Sequence, residues 1–425
     1  MPSLYVTQKG DTPKGLAIKF YGNASQYPLI LQVNPGLLAI KPPVSESGKL
    51  IIGQEIIIPD IAELADIFSN QPQNIGSDDP DEVTLIINDT QFKFWNGLSM
   101  EFAFDKLATE FSFKAPFEPA IPEYRAAFKP IFQPTSIYIG GKLVVKGQSF
   151  SNPSLSSDSN TVDVHGYAIT GNLSKTPISE PYEFAAGASF TEIVTDVTRR
   201  FGIAVTITRA AREKADKPFD ERVEFSATED AAGKIISLAK ERGLIISSTA
   251  SGRLLVTLPK TEGRIVQAFV SGNPPTTVIA PSFNADALHT SYIGFAADTP
   301  IESNVPDKVK LSSIKQPGIL PRIRAISPPD SSNITLEDSV RAERGRAFAE
   351  WFKVNIEAEG WRDKNGDLYA PNTLVSVYNP RAFIYSETKL FIRAVTLTKS
   401  ETRKYVKMEG ILPEAYSGSL PRIEL

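Results

Sequence analysis

The 425-residue sequence contains no cysteine and only two histidines, His165 and His289. Without cysteine there is no thiolate nucleophile, zinc ribbon, iron–sulfur cluster, haem-attachment motif or disulfide scaffold. Two histidines so far apart exclude a multi-histidine metal centre, and H-E-x-x-H is absent. An excess of one charge is also missing. Lys plus Arg number 45 against 49 Asp plus Glu, a net charge of −4, so overall electrostatics favours neither nucleic acid nor an anionic membrane. No apolar run reaches the roughly 18 residues of a membrane span, and Met1-Pro2-Ser3-Leu4 has no basic region of the kind that opens a signal peptide. What is present is 41% hydrophobic and 22% charged residues, the composition expected of a soluble globular chain with sizeable cores. Proline is abundant, at 32 residues, which favours extended connections over long helices. At roughly 100–200 residues per domain, about two to four domains are expected.

Residues 1–60 read as a small β-α-α-β unit. Leu4 to Thr7 is a short strand, and Asp11 or Thr12 can cap a helix beginning at Pro13, where a missing N–H costs nothing. Leu16, Ala17, Phe20 and Tyr21 share a helical face and Gly22 stops it; a second helix covers Ser25 to Val33, and Leu50 to Pro59 returns as a strand. Together with Tyr5-Val6, Gly10-Asp11-Thr12, Asn34-Pro35, Gly53-Gln54 and Ile57-Ile58-Pro59, this order resembles the LysM module, from which Pro13 and the long stretch 36–49 depart. The resemblance implies a groove for N-acetylglucosamine polymers lined by Gly10, Asp11, Thr12, Pro13, Ile56, Ile57 and Ile58. Equally, such a module can be a docking element that binds no sugar, since a fold does not establish a site.

Residues 61–82 read as a linker in which Asp78, Asp79, Asp81 and Glu82 form a solvated acidic cluster without the spacing of a calcium loop. From Val83 the hydrophobic period becomes two. Val83, Leu85 and Ile87 alternate, Asn88-Asp89 opens a turn, and Phe92, Phe94, Met100, Phe102, Phe104, Phe111 and Phe113 continue the pattern. A hairpin turns at Gly140-Gly141, and Val162, Val164 and Tyr167 mark a further strand, so residues 83–175 read as one β domain. Between them, Ala115 to Pro134 carries Pro116, Pro119, Pro122, Pro130 and Pro134 and is not expected to pair as an interior strand. Residues 176–262 read as a small α/β domain: Ser189-Phe190-Thr191-Glu192 is a capping box, a helix runs to Gly202, a second ends at Gly243, and a hairpin turns at Ala250-Ser251-Gly252. No G-x-G-x-x-G or P-loop follows a strand. Residues 263–353 hold a Pro-rich excursion and a charged helix whose Arg341, Arg344 and Arg346 form an exposed stripe; residues 354–425 alternate again, with a tight turn at Asn365-Gly366.

The run Glu357 to Trp361 and Gly366 to Val375, with Ile139-Gly140-Gly141-Lys142, Phe201-Gly202-Ile203, Ala239 to Gly243 and Gly252 to Val256 in the same order, resembles the baseplate hub proteins of phage Mu-type contractile tails over residues of about 83–415. The LysM-like module is an addition to that pattern. The resemblance implies a multidomain α+β fold, mainly β, with an N-terminal LysM (βααβ), two tube-protein-like β-barrels and a small α/β middle region. The first barrel is expected in 83–175, the second from strands in 263–353 and 354–425. It further implies a homotrimer that adapts a sixfold tail tube to a threefold central spike, initiates tube assembly, and meets wedge proteins, with no cofactor, metal or catalytic residue. Localisation would be the virion tail baseplate, assembled in the bacterial host cytoplasm; a contractile bacteriocin would use the same hub. The competing class is a LysM-tethered peptidoglycan-binding protein or hydrolase. Its two carboxylates would have to come from a pair such as Glu357 and Glu359, which read more simply as same-face residues of a strand, and no G-x-S-x-G is present.

Overall fold

The computed structural model describes residues 3–21, 30, 53, 55–58, 79–92, 95–117, 120, 122–155, 160–295, 308–314, 320–327, 334–400, 402–421 and 423. The chain divides into two compact units, Met1–Asn74 with Thr195–Ala204, and Ile75–Val194 with Val205–Leu425.

In the first unit, β1 (Ser3–Val6) and β2 (Glu55–Ile58) pair antiparallel, Tyr5 opposite Ile56, with α1 (Pro13–Tyr21) between them in sequence. Thr12 caps α1: its Oγ1 accepts from the Gly15 amide at 3.0 Å and its carbonyl from Leu16 at 2.9 Å. Leu16, Ala17, Ile30, Ile56 and Ile58 form the core. Phe20, expected on the buried face, is 38% exposed and only edges onto Tyr5 at 5.2 Å. A two-stranded sheet offers the helix a narrow stripe, and Phe20 falls at its margin. The expected second helix, apart from Ile30, and the linker before Asp79 lie outside the described residues.

The second unit opens with β3 (Val83–Ile87), β4 (Thr90–Phe92), β5 (Asn96–Ala103) and β6 (Glu110–Pro116), then α2 (Pro122–Ala127), β7 (Gln133–Ile139), β8 (Lys142–Leu155) and β9 (Asn160–Ala168). The strands follow the order β5-β6-β9-β8-β7-β3-β4, all antiparallel. The two-residue turns Asn88-Asp89 and Gly140-Gly141 have positive φ at both positions (47° and 62°; 55° and 76°), the geometry that follows strand twist. Leu98, Met100, Phe111, Phe113 and Val164 face a common core. The proline-rich stretch departs from expectation at three places, the first being Ala115 and Pro116, which close β6 opposite Val162 and Thr161 of β9. Pro122 opens α2, which sets Tyr124 and Phe128 against Phe92 at 5.7 and 5.0 Å. Pro134 also lies within β7, opposite Gln148, near the strand's start where a missing N–H costs little.

Next in sequence come β10 (Tyr182–Phe184), α3 (Phe190–Arg199, whose residues from Thr195 on are assigned to the first unit), β11 (Val205–Ile207), α4 (Arg209–Asp216), β12 (Val223–Phe225), α5 (Ala231–Glu241), β13 (Ile245–Ser248) and β14 (Leu254–Thr257). The capping box forms as read. The Glu192 amide donates to Ser189 Oγ at 3.2 Å and the Ser189 amide to Glu192 Oε2 at 2.7 Å, which holds the Glu192 carboxyl below its ordinary pKa. Helix α4 has no stripe of large apolar residues; it buries Ala211 and Ala215 only, so its pattern is silent in sequence.

The rest comprises β15 (Ile265–Val270), β16 (Thr276–Phe283), the three-stranded sheet of β17 (Ser291–Phe295), β18 (Lys308–Ser312) and β19 (Ile323–Ile326), then α6 (Leu336–Trp351), β20 (Phe352–Glu359), β21 (Thr373–Asn379), β22 (Ile384–Lys399), β23 (Lys404–Ile411) and α7 (Glu414–Ser417). Strands β15 and β16 pair with β21 and β20. Within the alternating stretch 354–425, Asp367 to Tyr369 forms no strand and makes a single bridge, Arg362 to Leu368. The Asp363 carboxylate instead accepts from the Asn365 and Asp367 amides and organises a turn around Gly366 (φ +84°). The exposed arginine stripe is also corrected. Arg344 is buried, donating to the Gly418 carbonyl at 2.6 Å and the Ser312 carbonyl at 2.8 Å, whereas Arg341 and Arg346 pair with Glu337 and Glu343.

Candidate functional site

The two β stretches expected as separate units share one 13-stranded sheet. The link is β22. Its first half pairs with β21; its second half lies between β23 and β5, running from Ala394 opposite Ala103 to Lys399 opposite Leu98. A register shift at Ile392/Ala394 marks the change of course. Period-two alternation tells which face a residue takes but not which strand is its neighbour, so this seam is invisible in sequence.

Two adjacent rows of side chains show that the sheet's sidedness survives the seam. Across seven strands, Glu357, Lys407, Thr396, Glu101, Glu110, Tyr167 and Gln148 stand in register, each half-buried or exposed. The neighbouring row, Ala358, Val406, Leu397, Met100, Phe111, Gly166 and Ser149, is buried throughout. The result is one core face and one polar face of mixed charge.

Charged side chains lock the seam. Arg393 donates to Asp105 Oδ2 at 2.9 Å and Glu409 Oε1 at 3.0 Å. Burial alone would lower the guanidinium pKa, but the two carboxylates outweigh it and the net direction is upward. Beneath it, Phe104, Phe391 and Tyr416 meet with centroids 4.9 to 5.7 Å apart. A second lock involves the expected acidic linker. Asp81 is not solvated: it accepts from Arg362 Nε at 2.7 Å and from Lys404, while Arg362 also reaches the Pro80 carbonyl. Burial pushes the Asp81 carboxyl upward, yet the Lys404 and Arg362 hydrogen bonds prevail and hold it below its ordinary pKa. Trp361, fully buried, donates Nε1 to the Thr398 and Tyr405 carbonyls, 3.1 Å each.

The sheet ends on strands bonded on one side only: among the described residues β16 pairs with β20 alone, β15 with β21, and β4 with β3. On β16 Val278 and Phe283 are exposed, and Phe383, 62% exposed, lies with its ring centroid 6.3 Å from that of Phe283. Unpaired edges and apolar exposure together mark a surface able to meet another chain.

Other expected positions fall as follows. Gly10 has φ +99° in the turn before α1. The Asp11 carboxylate is engaged by the Tyr5 hydroxyl at 2.9 Å and the Gln8 amide at 2.7 Å. Thr12 is the helix cap, Pro13 is buried, and Ile56 and Ile58 are core side chains with Ile57 between them on β2. Glu357 and Glu359 share a face, opposite Lys407 and Tyr405, and Glu357 pairs with Arg403 at 2.9 Å. His165 is an exposed residue of β9 beside Phe150, and His289 Nδ1 lies 3.2 Å from the Ala287 carbonyl. No cluster of three potential metal ligands occurs among the described residues.

Helix α6, strands β20 to β23 and α7 form a continuous block, and its sequence matches a known family. Residues 332–418 match the family model for the fourth domain of the Mu phage baseplate assembly protein GpP. Over 327 residues the chain is 23% identical to the baseplate hub protein gp44 of Escherichia phage Mu, covering 74% of this chain and 83% of that protein. Among solved structures, the 43 kDa tail protein of prophage MuSo2 from Shewanella oneidensis superposes with a TM-score of 0.65 at 20% identity, over 79% of this chain and 99% of the other. A tail protein of Neisseria meningitidis MC58 gives 0.64 at 14% identity, over 80% and 99%. The fold is therefore that of these tail proteins.

Proposed function

We propose that this chain is the central hub of a contractile-tail baseplate, a homotrimer that adapts a sixfold tail tube to a threefold spike and starts tube assembly. The observation that carries this reading is the similarity to the Mu hub, which extends over most of both chains rather than one shared domain. The architecture supports it. Two β stretches, 83–168 and 265–411, contribute to one sheet with a continuous polar face, and each is read as standing in for one tube subunit, so three chains offer six positions. Unpaired edges at β16, β15 and β4 supply the surfaces that repeated contact between copies, and with tube, spike and wedge proteins, requires. The chemistry is structural: the paired Glu357 and the capping Glu192 act on their own fold.

Within this reading the N-terminal unit docks to a baseplate neighbour. Asp11 and Thr12, two candidate glycan contacts, already serve the turn and the helix, whereas Val6, Ile18 and Phe20 are exposed. Insoluble peptidoglycan should therefore not retain the purified chain, and a zymogram should stay uncleared; retention would favour the Gly10–Pro13 and Ile56–Ile58 groove instead. For the hub itself the test is assembly. Native mass measurement should find three 46.4 kDa chains, and the trimer with its spike should nucleate polymerisation of tube protein. A chain that stays monomeric beside its spike and fails to nucleate tube is not a hub.

A further inference from the structure

The three-stranded sheet β18-β17-β19 lays one face on helix α6. Tyr292, Val309, Leu311 and Ile326 pack there with Val340 and Ala347. The alternate residues therefore turn to the other face, and Lys308 and Lys310 of β18 and Ile323 and Ala325 of β19 are all exposed on it. The two outer strands differ. β18 carries the lysines, charges of the kind that protect a sheet edge, whereas β19 shows Ile323, 56% exposed, beside Ala325. Among the described residues β19 pairs with β17 alone. The Arg322 carbonyl accepts from the Thr290 amide at 2.8 Å and so points to the β17 side. By strand alternation Ile323 and Ala325 turn their N–H and C=O groups outward, away from β17. On the α6 face the same edge is positive. Arg324 and Arg346 both pair with Glu343, two guanidiniums on one carboxylate, with Arg324 Nε donating to Glu343 Oε1 at 3.0 Å. The Arg324 side chain is still 54% exposed.

We propose that the β19 edge takes up an extended segment of a partner protein as a fourth strand, one in which apolar and acidic residues alternate. The outward N–H and C=O groups of Ile323 and Ala325 supply a ladder that an extended backbone completes. Pleating then sends alternate side chains of the guest to opposite faces. One set lies against Ile323 and Ala325, which calls for apolar residues. The other lies beside Arg324, where the surplus positive charge calls for a carboxylate. A guest carrying lysine there would meet like charge across the strands. This edge is separate from those of β16, β15 and β4, so its binding does not depend on hub assembly.

The test uses the full chain and two fluorescein-labelled peptides, Val-Asp-Val-Asp-Val-Asp-Val and Val-Lys-Val-Lys-Val-Lys-Val, followed by fluorescence polarisation. The acidic peptide should bind about tenfold more tightly than the basic one, the scale of a few exposed charge contacts, and added salt should narrow the gap. Arg324→Glu should reverse the preference. Ala325→Pro removes one outward N–H and no bond to β17, so it should weaken the acidic peptide about fivefold or more while the melting temperature stays near that of the wild type. Should that variant fail to fold, Arg324→Glu decides alone. No saturable binding of the acidic peptide at about 1 mM would overturn the assignment. Equal affinity for both peptides, a preference unchanged in Arg324→Glu, or binding unaffected in a folded Ala325→Pro would do the same. So would self-association of the chain that Ala325→Pro abolishes, because a second copy would then hold the edge.

Discussion

Arg344 donates to two backbone carbonyls from a buried position, so its removal leaves Gly418 and Ser312 oxygens without those donors. Arg344→Met should therefore lower unfolding free energy by about 2–4 kcal/mol, read from urea denaturation. Arg341→Ala, breaking an exposed pair three residues away, should cost less than about 1 kcal/mol. Asp81 provides a pH-dependent counterpart. Its carboxyl titrates below the free value in the folded chain, so its contribution is present at neutral pH and fades as pH falls below about 4. Asp81→Asn should destabilise by about 1–3 kcal/mol at pH 7 and flatten the stability profile at acid pH; an unchanged profile would show that the Lys404 and Arg362 contacts carry no net energy. Neither role is legible in sequence. Arg344 sits among charged helix residues and Asp81 in an acidic run; what distinguishes them is a partner many positions away, which local pattern does not encode. Ser189 and Glu192 are legible because their partners lie three residues apart.

Among elements, helix α6 passes close to α7 at Gly345, where an added Cβ would meet the Ala415 carbonyl oxygen at 2.4 Å. Alanine for glycine inside a helix ordinarily stabilises by about 1 kcal/mol. Here Gly345→Ala should instead destabilise by about 1–3 kcal/mol, measured by thermal melting, because backbone must shift. Strand β22 gives a second test. Its residues 394–399 lie between β23 and β5, so their hydrogen-bonded amides should be among the slowest to exchange with deuterium. Rapid exchange there would mean that the seam is not closed. Strand and turn signals were readable wherever chemistry is local: Asn88-Asp89 and Gly140-Gly141 both form the turns their residues demand. Helix α2, helix α4 and the β5–β22 pairing were not, since the first hides in a proline-rich stretch, the second buries only alanines and the third is a pairing of distant strands.

At the scale of the whole molecule, the repeated theme is a core face and a polar face carried through the seam, ending on strands that, among the described residues, pair on one side only. On the proposed reading these ends, each bonded on one side among the described residues, are where further copies and neighbours would join. On the proposed hub reading, deuterium uptake at amides of β16 should drop on assembly. The decisive observation is an electron cryo-microscopy image of the particle that contains this protein. Three copies forming a ring of six β modules between tube and spike are expected; a ring of six chains, a single copy, or a baseplate from which the chain is missing would contradict the hub reading.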